Sequence, residues 1–176
     1  MPYLAHPLLA ACRRPCAAIG RLLPAVAAAL LAGAALAPAA ALADDLLVRF
    51  DGGIGSQPLR SGPAVNTVQN VNPGGIPWVI AELRADVRTD GRIRVNGRGL
   101  LLAGGNGVGT NGNQSVRARL FCDGAASDSN LVALEPNGDF RIDDRLVPTP
   151  PTPCNSPILL IVSGGGNWFA AGIPDR

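Results

Sequence analysis

Residues 78–102 read WVIAELRADVRTDGRIRVNGRGLLL, and this stretch decides the fold class. Over Trp78 to Arg88, Val79, Ala81, Leu83, Ala85 and Val87 fall on one face, with Glu82, Arg84, Asp86 and Arg88 on the other. A period of two marks a half-buried β-strand. From Arg92 to Leu102 the alternation continues, with Ile93 and Val95 inward. Parity then fixes the turn. A two-residue loop at Asp90-Gly91 would set Val87 against Arg94 and mix the faces. A three-residue loop, Thr89-Asp90-Gly91 with Gly91 left-handed, pairs Val87 with Ile93 and Ala85 with Val95. The same register sets Asp86 opposite Arg94 and Glu82 opposite Arg98, two pairs worth about 0.2–1 kcal/mol each.

The device recurs downstream. Pro136-Asn137-Gly138 as a three-residue loop pairs Leu134 with Phe140 and Val132 with Ile142. Between the hairpins, Ser115 to Cys122 alternates Val116, Ala118, Leu120 and Cys122 against Arg117 and Arg119. Leu46 to Phe50, Ile158 to Val162 and Asn167 to Ile173 read as further strands, and no segment shows a sustained helical period. The spacing predicts an all-β domain of about seven or eight short strands, either an antiparallel β-sandwich or a partly open barrel. Leu146 to Pro157, with five prolines, reads as a stiff crossover between sheets, with a polyproline ligand as the alternative.

Residues 1–43 read as a cleaved secretory signal. Arg13, Arg14 and Arg21 form a positive start, Leu22 to Ala40 is uncharged, and Ala41-Leu42-Ala43 is a small-x-small cleavage site. The alternative is an uncleaved anchor, against which Pro24, Pro38 and the weak hydrophobicity of alanine argue. The working chain is then residues 44–176, one domain, secreted or periplasmic, with no membrane span after cleavage. It has no His, Lys or Tyr; its basic residues are 12 of the chain's 15 arginines, and its charge is about −1.

Two cysteines survive cleavage, Cys122 and Cys154. In an oxidising compartment they pair as a disulfide, closing a loop of about 33 residues and stabilising by roughly 3–4 kcal/mol. A thiol nucleophile has no imidazole to activate it, and two sulfurs make a poor metal site.

The missing side chains also exclude Ser–His–Asp triads, Schiff-base lysines and histidine metal sites within the domain. Paired carboxylates for glycoside hydrolysis remain, but Glu82 and Glu135 read as hairpin surface, and Asp143 and Asp144 point to opposite faces. Asp123, Asp128 and Asn130 lie in one loop with oxygen donors suited to Ca²⁺, without the spacing of an EF-hand. Gly104 to Gly112 lacks the following helix and lysine of a phosphate-binding loop. Arg84, Arg88, Arg92, Arg94, Arg98, Arg117 and Arg119 share a face if their strands are neighbours, and five of them, Arg84, Arg94, Arg98, Arg117 and Arg119, would then suit an anionic polymer such as lipopolysaccharide or acidic glycan. Their matching carboxylates favour a solvated, neutralised face instead, and nucleic acid is not an expected partner.

Residues 90–102, 111–122, 136–144 and 168–174 resemble segments of small exported bacterial proteins without an assigned activity. That resemblance implies secretion and a compact domain, and carries over no functional residue. The residues therefore predict a non-catalytic exported domain, structural or binding, without a cofactor. Ligand and partner are not readable from the residues; an envelope polymer or another envelope protein is the candidate partner. An anion binder and a carboxylate hydrolase stand as the alternatives.

Overall fold

The computed structural model describes residues 45–61 and 64–175; the expected leader lies outside them. All regular structure in these residues is β, and none of it is a helix long and apolar enough to cross a membrane.

The central hairpin takes the register that parity dictates. Strands β5 (Glu82–Arg88) and β6 (Arg92–Arg98) pair Val87 with Ile93, Ala85 with Val95, Asp86 with Arg94 and Glu82 with Arg98. Gly91 is left-handed at φ 83°, and its N–H donates to the Arg88 carbonyl at 2.9 Å. Before Glu82 the expected single long strand breaks. β4 (Trp78–Val79) pairs separately with β7 (Leu101–Leu102), and the faces invert, so that Trp78 is buried and Val79 exposed. The cause is the aromatic stack inside: the Trp78 and Phe169 rings lie 3.9 Å apart and 16° from parallel. Turning the indole inward here contributes more than keeping Val79 and Ala81 in phase with Leu83.

The remaining strands are β1 (Leu46–Gly55), β2 (Arg60–Ser61), β3 (Ala64–Val65), β8 (Ser115–Cys122), β9 (Ala125–Asp128), β10 (Val132–Ala133), β11 (Phe140–Arg145), β12 (Ile158–Ser163) and β13 (Trp168–Pro174). Seven of these join β5 and β6 in one nine-stranded antiparallel sheet in the order β10-β8-β12-β13-β1-β5-β6-β11, with β9 also pairing with β8, and β2 pairs only with β3. The sheet curls until its two halves share one core. Val116, Ala118 and Leu120 from β8 join Leu159 and Ile161 from β12 in the same buried cluster as Phe50, Leu83, Val87, Ile93 and Val95. This is a partly open barrel, with more strands than the spacing predicts.

Its seam is narrow. Asp128 and Val147 exchange backbone hydrogen bonds of 2.9 Å each way, and the Asp144 carboxylate accepts the Asn130 N–H at 2.6 Å. The second hairpin ends at this seam. Gly138 is left-handed and Glu135 donates to the Asp139 carbonyl, as a three-residue loop requires. Beyond that pair, however, the arms part. Val132 pairs with Val116, and Ile142 with Val95, so the expected Val132–Ile142 pairing is not made. Asn111 Nδ2 fills the gap by donating to the Leu134 and Glu135 carbonyls.

β12 is buried on both faces, the signature of a continuous apolar run such as Ile158–Val162. Leu160 and Val162 face outward into a second cluster with Phe121, Trp168 and Val71. Val71 belongs to a strap that closes on itself through Val68 and Val71 and pairs Pro73 with Trp168. The proline-rich segment runs from β11 back to β12, across the curl of one sheet, and Cys154 joins it to Cys122 with Cα atoms 4.9 Å apart.

Candidate functional site

The outer face of β1, β5, β6 and β11 carries the charge, because strand alternation sends every second residue outward. One row across it runs Arg49, Asp86, Arg94, Asp143, alternating in sign over four strands. The ion pairs inside the row are Arg49–Asp86 at 2.6 Å and Arg94–Asp143 at 3.3 Å. Asp86 and Arg94 stand opposite in register, yet each finds its closest partner on the strand outside the hairpin. Nothing local could have revealed those outer strands. Arg84 meets Asp51 at 3.2 Å, and Arg98 meets Glu82 at 3.6 Å. These side chains are all more than half exposed, so each pair contributes about 0–1 kcal/mol.

Arg117 and Arg119 lie elsewhere. Their strand, β8, is separated from β5 by β12, β13 and β1. Both converge on Asp128 and are only about a quarter exposed. Arg119 holds Asp128 through two hydrogen bonds of 2.6 Å, which raise the guanidinium pKa above its ordinary value. The five arginines singled out in the sequence thus divide between two surfaces, three on the hairpin face and two beside the seam.

The loop oxygens considered for Ca²⁺ do not gather. Asp128 is committed to the two arginines, and Asn130 gives its N–H to Asp144. Asp123 occupies a left-handed turn, where its carboxylate accepts Asn155 Nδ2 at 3.2 Å. Among the described residues no three His, Cys, Asp or Glu side chains are placed to hold a metal ion.

Of the acids near the hairpins, Glu82, Glu135 and Asp139 line one hollow of about 340 Å³ together with Arg84, Arg98 and Arg141. Glu82 and Glu135 are exposed, the first paired with Arg98, and Asp139 Oδ1 accepts the Gly99 N–H at 3.0 Å. Asp143 and Asp144 do point to opposite sides, one to Arg94 and the other to the seam. The Asn130 N–H holds the Asp144 carboxyl below the ordinary aspartate range. A general acid needs the reverse, a dry setting that favours the protonated form.

One feature escapes the sequence reading. At the barrel end opposite the Asp90 turn, Trp78, Leu102 and Phe169 floor a groove of about 350 Å³ with Gln114, Ser163 and Asn167 at its rim. The signal for it was present as paired glycines, Gly74-Gly75 and Gly165-Gly166, close to each aromatic residue. A Cβ on Gly74 would sit 2.8 Å from Trp78 Nε1, so that glycine is a packing requirement. No family model, no curated protein and no solved structure matches this chain.

Proposed function

We propose that the chain works outside the cytoplasm as a non-catalytic, disulfide-closed domain with a binding or structural role. The carrying observation is that eight of its described acids serve as partners. Asp51, Glu82, Asp86, Asp90, Asp128 and Asp143 pair with arginines, while Asp139 and Asp144 accept backbone N–H groups. The leader-like start and the Cys122–Cys154 bond support export. Assays of the purified protein on glycoside, ester and phosphoester substrates are expected to show no turnover. Turnover that Glu82→Gln or Glu135→Gln abolishes, with the thermal midpoint unchanged, would overturn the reading.

A second reading, an anionic-polymer binder, is favoured by one observation. Arg88 and Arg141 lie on the hairpin face and, among the described residues, meet no carboxylate at ion-pair distance, unlike the arginines around them. It predicts retention on heparin that falls with salt and weakens in Arg88→Ala/Arg141→Ala. Retention indifferent to both would sink it.

A further inference from the structure

On the hairpin face the row Arg49, Asp86, Arg94, Asp143 alternates in sign and Glu82 faces Arg98, whereas the row nearest the Thr89-Asp90-Gly91 turn crowds like charges. There Arg92 stands directly opposite Arg145 in register, and Arg88 stands across the neck of the turn. Like charges directly opposite on neighbouring strands are destabilising. Among the described residues Asp90 is the acid that meets this group, 3.0 Å from Arg92 Nε and 3.8 Å from Arg145 Nη2. Arg145 Nη1 also donates to the Asp90 carbonyl, which uses part of that fork internally. A face that alternates its charges along the row from Arg49 to Asp143 and crowds them here breaks a local rule, and such breaks cluster where function requires them.

Beside this row lies a hollow of about 210 Å³. Arg88, Arg92, Arg94 and Arg49 line it, against two carboxylates, Asp86 and Asp143. Those two are engaged by Arg49 and Arg94, and Arg92 is shared with Asp90, so the four guanidinium groups of the hollow outnumber its two lining carboxylates, with Arg88 at ion-pair distance from no acid among the described residues. Guanidinium forks match tetrahedral oxyanions in geometry and hold them by charge-assisted hydrogen bonds.

We propose that this hollow is a site for a tetrahedral oxyanion, a phosphate monoester or sulfate ester, borne by a glycan or a lipid headgroup. The inference rests on the binding role proposed above and names its ligand chemistry. Arg88 and Arg92 hold the anion, Arg94 and Arg49 frame it, and Leu46 forms an apolar wall for the group that carries it. Asp90 competes with the anion for Arg92.

The test is calorimetric titration of the whole protein with glucose 6-phosphate, glucose 6-sulfate and glucose at matched ionic strength. Phosphatidic acid vesicles and plain phosphatidylcholine vesicles form a parallel arm. Either anionic sugar ester or the phosphatidic acid vesicles should bind above the neutral control, and whichever arm responds names the source. Arg88→Gln/Arg92→Gln should weaken that binding by at least about tenfold, whereas Arg84→Gln/Arg98→Gln on the same face should change it by less than about twofold. Asp90→Asn, which keeps an acceptor for the turn but removes the competing charge, should tighten it. Thermal midpoints establish that each variant folds. Anionic probes binding no better than the neutral ones would overturn the site, as would equal losses in the two double variants. Hydrolysis of either sugar ester would instead sink the non-catalytic reading and leave the site standing.

Discussion

A methyl group on Gly55 would lie 2.0 Å from the Trp78 carbonyl oxygen, and backbone cannot yield there as a flexible side chain can. Gly55→Ala should therefore cost about 2–4 kcal/mol, read from the denaturant midpoint. Gly75→Ala, facing open space, should stay within about 0.5 kcal/mol. The same glycines explain a misread boundary. Gly52, Gly53 and Gly55 look like the loop after a strand ending at Phe50, but β1 continues through them to pair with Gly172, Ala171 and Ala170. Sequence reading treats glycine as a breaker, whereas here it admits a bulge and a crossing strand. Asp144 acts at the same scale. Its carboxyl is held below the usual range, so its contribution is complete above the unfolded value near pH 3.9 and is lost as pH falls through the folded one. The acid limb of a stability–pH curve should be shallower in Asp144→Asn below about pH 4. An unchanged limb would mean that the clasp carries no stability.

Among the elements, hairpins were legible wherever apolar and charged positions demanded the same register, as at Thr89-Asp90-Gly91. β9 was not. Asp123-Gly124 is a two-residue turn with both residues left-handed, a strong hairpin signal, but Ala125-Ala126-Ser127-Asp128 after it carries too little β-preference to be noticed. The disulfide was legible because an expected oxidising compartment and the two cysteines expected to outlast the leader left one pairing, and Cys122–Cys154 forms. Replacing both by alanine should lower stability by about 3–4 kcal/mol in chemical unfolding. A loss under about 1 kcal/mol would show that the crossover is held by other contacts. β12 makes a complementary case. Leu160 points to the outer face yet is fully buried beneath the strap, so Leu160→Ala should cost about 2–4 kcal/mol, as a core truncation does. A cost near zero would mean that the strap leaves that face open to solvent.

At the scale of the molecule, what escaped the sequence is curvature. The seam depends on Asp128 meeting Val147 and on Asp144 meeting Asn130, contacts that no local pattern encodes. Curvature also decides which arginines are neighbours, placing Arg84, Arg94 and Arg98 on one surface and Arg117 and Arg119 on another. The charge pattern was legible within a hairpin and illegible beyond it, since β1 and β11 supply the outer partners of Asp86 and Arg94. The proposed role depends on the working chain being exported, shorn of its first 43 residues and oxidised. Intact mass of the protein recovered from the periplasm or medium of its own cells tests this most directly. The expected mass is that of residues 44–176 less two hydrogens, with Cys122 and Cys154 joined. The full-length chain in the cytosol with both thiols free would contradict it.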